Sequence, residues 1–211
     1  MSAAPRAILF DFDGTLVDSA PGILEGLGRA LAVHGVNPVV PLEASIIGPP
    51  LRHTLARLAG SEDVELIERL AAAFRDEYDT RAYRATQAYP GVGAMLETLQ
   101  TAGVALHIVT NKRIAATRLI LEHFAWMPRF AGVHALDSRT PPATHKPALV
   151  RAVMDEYTLA AATTWMIGDS AEDRRAALEN RLRFFAAGWG YGGAAGDALA
   201  EPKALLRAAG L

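Results

Sequence analysis

From residue 92 onward the chain alternates between helical and strand patterns, and that alternation limits its fold more than any other feature of the 211 residues. Helical segments at 92–101, 113–124, 147–157 and 171–181 are interleaved with short, almost continuously apolar runs at 104–109, 132–136, 163–167 and 184–187, the last strand expected. A strand that is apolar on both sides has no face for solvent, so helices must cover both faces of its sheet. The expected core is therefore α/β: a Rossmann-like parallel sheet covered by helices on both faces, to which Ala7-Ile8-Leu9-Phe10 contributes a further strand.

Between that first strand and residue 88 the pattern is different. Ile23, Leu24, Leu27 and Leu31 recur at helical spacing between Pro21 and Gly35, with Ser19 as a possible cap. Gly48-Pro49-Pro50 leads into a second helix through Leu51, Leu55 and Leu58, which Gly60 ends, and a third carries the stripe Val64, Ile67, Leu70, Phe74 and Tyr78. Three helices without an intervening strand predict an inserted α-helical cap at 16–87, within a discontinuous core made of 1–15 and 88–211.

Composition narrows the partners. With 51% hydrophobic residues, 21% charged residues and a net charge of −2, the chain has no basic surplus for nucleic acid. It contains no cysteine, which excludes disulfides, thiolate metal sites and cysteine nucleophiles and agrees with a reducing cytoplasm. No signal-like stretch develops before Asp11, and residues 184–196 are too short and glycine-rich to span a bilayer. The expectation is a cytoplasmic protein with no nucleic-acid or membrane partner.

Functional residues of an open parallel sheet collect beyond the carboxyl ends of its strands. Here the first strand runs into Asp11-Phe12-Asp13-Gly14-Thr15, 104–109 into Thr110-Asn111, and 163–167 into Gly168-Asp169-Ser170-Ala171-Glu172-Asp173. His145-Lys146-Pro147 sets a lysine just before a proline-opened helix, whose N-terminal dipole favours an anion. Each piece alone has an ordinary reading: an Asx turn, a helix cap, a surface lysine. Adjacent carboxylates at the end of a buried strand are costly unless a cation or a catalytic task compensates, and the set as a whole suits a phosphate and a metal.

Order, spacing and strand-end location together resemble the four motifs of the haloacid dehalogenase superfamily, mostly phosphatases that work through an aspartyl-phosphate. The resemblance spans essentially the whole chain and is closest to phosphoglycolate phosphatase-like members, echoed in Asp18-Ser19, Ile47-Gly48-Pro49-Pro50-Leu51, Tyr89-Pro90-Gly91-Val92 and Gly188-Trp189-Gly190-Tyr191-Gly192; residues 137–144 match no such pattern. It implies Asp11 as nucleophile, Asp13 as general acid and base, and Mg2+ held by Asp11, Asp169 and the backbone carbonyl of Asp13. Lys146 and the metal offset the repulsion between carboxylate and phosphate, the Thr110 hydroxyl and backbone amides near Gly14 and Asn111 position the transferring group, and Asp13 must be protonated for the first step. Ser170 and Asp173 stand behind them, Asp173 one helical turn beyond Asp169 and within reach of Lys146 or the metal's waters. At the Gly48–Arg52 joint, Arg52 is a candidate for pairing with a substrate carboxylate, against the plain alternative of a solvent-facing helical arginine. The implied substrate is a small phosphorylated metabolite, phosphoglycolate first among candidates.

Other readings fit less of the chain. A phosphomutase shares the fold, the cap and the nucleophile. A phosphoacceptor signalling domain lacks the insert and does not open on its phosphoaspartate. Gly188-x-Gly190-x-x-Gly193 formally matches a dinucleotide fingerprint, but too little chain follows for the rest of such a unit. The histidines at 34, 53, 107, 123, 134 and 145 show no close ligand spacing and read as packing or surface residues.

Overall fold

The computed structural model describes residues 4–192 and 197–211. It opens with strands β1 (Ala7–Phe10) and β2 (Val17–Asp18), followed by helices α1 (Ala20–Val33), α2 (Leu51–Ala59) and α3 (Val64–Thr80) and strand β3 (Gln87–Ala88). The alternating part comprises α4 (Val92–Thr101), β4 (Ala105–Thr110), α5 (Ile114–His123), β5 (Gly132–Ala135), α6 (Lys146–Glu156), β6 (Thr164–Gly168), α7 (Ala171–Glu179) and β7 (Arg183–Ala187). Strand β8 (Ala198–Leu199) and helix α8 (Lys203–Ala209) complete it.

Six strands form one parallel sheet in the order β5-β4-β1-β6-β7-β8. Its two apolar faces are visible within β1: Ile8 and Phe10 join a cluster with α4 and α8, whereas Leu9 joins one with α6 and α7. The chain leaves β1 towards β4 and β5 and returns on the other side to β6, making β1 the switch point at which a crevice opens. In register, Phe10 lies beside both Ile108 and Ile167, so the ends of β1, β4 and β6 emerge side by side.

Helices α1, α2 and α3 gather around their own apolar cluster, which includes Leu27, Leu31, Leu55, Leu58, Leu70 and Phe74. Close approach depends on a glycine: a Cβ on Gly22 of α1 would lie 2.2 Å from the Ala82 carbonyl oxygen.

Two features depart from the sequence reading. The strandless stretch expected after β1 is bordered by a short antiparallel ribbon pairing Val17 with Ala88 and Asp18 with Gln87. Two-residue strands are too short to show a period. The sheet also does not end at β7, because β8 pairs with it and α8 packs against α4. Gly193 of the dinucleotide-like pattern lies outside the described residues.

Candidate active site

The Asp11 amide donates to the Ile167 carbonyl at 2.8 Å, carrying the sheet's pairing one residue past β1 and fixing where the carboxylate emerges. The chain then turns at Gly14, whose φ of +80° favours glycine and whose missing side chain leaves room for Asp169; a Cβ there would be 2.3 Å from Asp169 Oδ2.

Lys146 occupies the first position of α6, 2% exposed, with Pro147 behind it and His145 as the cap, its Nδ1 accepting from the Ala148 amide at 3.2 Å. Its ammonium donates to Asp11 Oδ1 at 2.6 Å and to Asp173 Oδ1 at 2.5 Å. Asp173 is fully buried, and its other oxygen accepts from the Ser170 amide at 3.0 Å and the Ser170 hydroxyl at 2.6 Å. One carboxylate therefore both caps α7 and holds Lys146 against Asp11. Asp169 Oδ2 accepts from the Tyr191 and Gly192 amides at 2.9 and 3.1 Å.

Oxygens of Asp11, Asp169 and Asp173 lie within 4.8 Å of one another. Burial first, then repulsion from Asp173 and Asp169 against the opposing pull of Lys146, raises the Asp11 carboxyl well above its ordinary range. Burial and Asp173 push Asp169 up to about 6, although the Tyr191 amide works the other way. Burial alone would depress Lys146, but Asp11 and Asp173 outweigh it and raise it. One ammonium among three crowded carboxylates leaves excess negative charge, and a hard divalent cation with oxygen ligands fits that donor set.

Asp13 points to the other side of the turn. It accepts from Lys112 Nζ at 3.1 and 3.2 Å and from the Ser19 hydroxyl at 2.5 Å. Lys112 also donates to the Tyr78 hydroxyl at 2.9 Å, with its ammonium 4.6 Å from the centre of that ring. Its neighbours likewise reach the helical segment: Asn111 Nδ2 donates to the Gly48 carbonyl at 2.9 Å and to Glu172 at 2.6 Å, and Arg113 pairs with Asp79 at 2.5 Å. Thr110 and Asn111 are not the cap of α5, which begins after Arg113. The Thr110 hydroxyl is buried and accepts from the Lys112 amide at 3.1 Å, leaving its own proton to donate.

A cavity opens in front of these groups, lined by Asp11, Asp13, Thr110, Asn111 and Lys112 from the strand ends and by Gly48, Pro49 and Leu51 from the joint before and into α2. The structure thus gathers Asp11, Asp13, Gly14, Thr110, Asn111, Lys146, Asp169, Ser170 and Asp173 around one crevice. Arg52 is set apart: it pairs with Glu68 of α3 and borders an outer cleft with His53 and Arg75. Sequence reasoning missed Lys112, whose one signal was its place directly after Thr110-Asn111. It read Tyr191 only within the Gly188–Gly192 pattern and gave it no site contact, whereas its hydroxyl accepts from the Ser19 and Ala20 amides and donates to Asp18 at 2.7 Å. The histidines take no part in this cluster; His107 and His134 are buried beside each other on β4 and β5, and His107 is lowered to about 4 by burial and by His134. Among the described residues no helix is long and apolar enough to cross a membrane.

Comparison with known proteins agrees with this geometry. The haloacid dehalogenase-like hydrolase family matches residues 8–187. Tyrosine-protein kinase PtkA of Mycobacterium tuberculosis is 31% identical over 190 residues, covering 90% of this chain, which spans 64% of that protein's length. A phosphoglycolate phosphatase of Xanthomonas campestris is 34% identical over 190 residues, covering 89% of this chain and 85% of the relative. The crystal structure of a predicted phosphatase from Clostridium acetobutylicum superimposes with a TM-score of 0.85 at 26% identity, covering 98% of each chain. Sequence, strand order and strand-end chemistry agree, and the chain belongs to the haloacid dehalogenase-like hydrolase family.

Proposed function

We propose that the protein is a Mg2+-dependent phosphatase that hydrolyses the phosphate monoester of a small metabolite through an aspartyl-phosphate on Asp11, with residues 16–87 acting as a cap. The observation that carries this reading is the buried Lys146 ammonium bridging Asp11 and Asp173, with Asp169 facing them from the next strand. Lys146 takes one oxygen of Asp11, fixing the carboxylate while the other oxygen attacks.

In the first step Asp11 forms a bond to phosphorus, the bond to the leaving oxygen breaks, and Asp13 gives that oxygen a proton. In the second step Asp13 takes a proton from a water, the water's oxygen bonds to phosphorus, and the bond to Asp11 breaks, returning the carboxylate. The Thr110 hydroxyl and backbone amides beside Gly14 and Asn111 hold the phosphoryl oxygens, and Lys146 offsets their charge. Asp11, Asp169 and the Asp13 carbonyl would hold Mg2+, which when bound neutralises charge on carboxylate and phosphate. Asp173 and Ser170 keep Lys146 in place.

The PtkA and phosphoglycolate phosphatase relatives carry names that differ in what they act on. They support phosphoryl chemistry, with phosphoglycolate entering as a candidate by resemblance and the choice of alcohol left to the cap. The absence of cysteine agrees with a cytoplasmic location. The test is release of inorganic phosphate from a panel of metabolite monoesters with Mg2+, beside an Asp11→Asn control. The reading requires the control to fall by about three orders of magnitude or more with its fold intact. A control keeping a tenth of wild-type turnover rejects it, and transfer to a second metabolite without phosphate release would make the protein a mutase.

A further inference from the structure

The cavity in front of Asp11 has two unlike ends. Carboxylates, a hydroxyl and an amide stand at the sheet end, whereas the cap end is walled by Ile23, Leu27, Ile47, Leu51, Phe74 and Tyr78. The Phe74 and Tyr78 rings stack with centroids 5.2 Å apart. Two cations border the space and each already holds a carboxylate, Lys112 that of Asp13 and Arg113 that of Asp79. Arg113 does so through a single guanidinium nitrogen, and the side-chain polar atoms of the cap wall itself are the neutral hydroxyls of Thr54 and Tyr78. The space is about 70 Å³, the volume of about two waters at ~30 Å³ each in the liquid.

We infer that the leaving alcohol is small, uncharged and largely apolar, and that an ester with a carboxylate close to its phosphate is disfavoured. The inference rests on the phosphatase reading of Asp11 and adds to it the chemistry of the cap wall. A carboxylate pressed against Ile23, Leu27 and Phe74 would lose its hydration, and that stretch of wall offers it no charged donor. In phosphoglycolate the carboxylate carbon is two bonds from the ester oxygen, so it stays close to the phosphate, and His53 and Arg75 line the outer cleft rather than this space. A short branched or single-ring alcohol instead gains apolar contact along the same wall.

Isobutyl phosphate and phosphoglycolate make a matched pair, with equal numbers of heavy atoms and an isopropyl group in place of the carboxylate. With Mg2+ present, kcat/KM for isobutyl phosphate is expected to exceed that for phosphoglycolate by at least about tenfold. Ile23→Lys, at a half-buried wall position, is expected to reverse the order by supplying a cation. Calorimetric binding of both esters to Asp11→Asn repeats the comparison without turnover or a changed wall, so a misfolded Ile23→Lys does not remove the test. Phosphoglycolate equal to or better than isobutyl phosphate in both measurements overturns the inference and leaves the phosphatase reading intact. Failure of that reading looks different: no phosphate is released from isobutyl phosphate, phenyl phosphate or phosphoglycolate, and the inference falls with it.

Discussion

Replacing Lys146 with methionine keeps an unbranched side chain one atom shorter and removes the one ammonium that bridges Asp11 and Asp173. The lysine is 2% exposed, so no water takes its place easily. Leaving buried partners without their counter-charge costs about 3–5 kcal/mol, a large share of the ~5–15 kcal/mol that holds a domain folded. The loss should depend on pH in a direction set by the carboxylates. Burial, then Asp173 and Asp169, raises Asp11 well above its ordinary range even against the pull of Lys146, and Asp169 stands at about 6. A carboxyl raised in the folded state destabilises the fold fully above its folded value. That penalty is relieved as the pH falls through the folded value towards the unfolded value near 4, because the folded state then takes up the proton more readily. Without Lys146 both groups move further up. Urea unfolding in metal-free buffer should therefore show Lys146→Met losing about 3–5 kcal/mol at pH 8 and only about 1 kcal/mol at pH 5. A variant as stable as wild type at pH 8, or one with the same loss at both pH values, would refute the electrostatic account of this cluster.

Three further outcomes follow from other parts of the molecule. A chelator should silence phosphate release reversibly, Mg2+ should restore it, and Ca2+ should bind while supporting little turnover because its larger, looser coordination sphere misaligns attack; undiminished activity in the chelator would exclude metal dependence. His107 is lowered to about 4 by burial and by His134, so the folded state resists the proton that the unfolded state accepts near 6.5. Wild type should lose stability relative to His107→Phe between pH 6.5 and 4, by ~3 kcal/mol at the limit and about 2 kcal/mol after relaxation of the protonated state, and parallel urea midpoints across that range would contradict this. Because the Arg52 guanidinium is engaged by Glu68 outside the inner cavity, Arg52→Ala should change KM for phosphoglycolate by less than about twofold; a large rise confined to acidic esters would restore the role in carboxylate recognition that its position in the sequence suggested.

What the sequence made legible, and what it hid, divides by the range of the interaction concerned. Helix α4 was readable at both ends because Tyr89-Pro90-Gly91 opens it and Gly103 follows it, and β1, β4 and β6 because their apolar runs stop at polar residues. The β2–β3 ribbon and β8 have two residues each, too few for any pattern, and only pairing defines them. Within the candidate site, Asp11, Asp169, Asp173 and Lys146 were singled out because strand ends and helix starts are local signals and their order resembles the family's motifs. Lys112 was not, since its partner Asp13 is 99 residues away and nothing local distinguishes a lysine that forms a buried ion pair from one on the surface. The same holds for the hydrogen bonds of Tyr191, which reaches Ser19 from 172 residues away; Arg52 was singled out, but its partner Glu68 on the following helix was not legible.

The most direct test of the central claim is to trap the covalent intermediate. Wild-type protein turning over a good ester with Mg2+ is quenched in acid within one turnover, treated with borohydride to reduce an acyl phosphate, digested, and analysed by mass spectrometry. The account predicts reduction of Asp11 to homoserine, absent without ester and absent in Asp11→Asn, with the phosphoenzyme forming at least as fast as phosphate is released. Phosphate release with no acyl phosphate at Asp11, or a phosphoryl group carried instead on Asp13 or on a tyrosine, would contradict it.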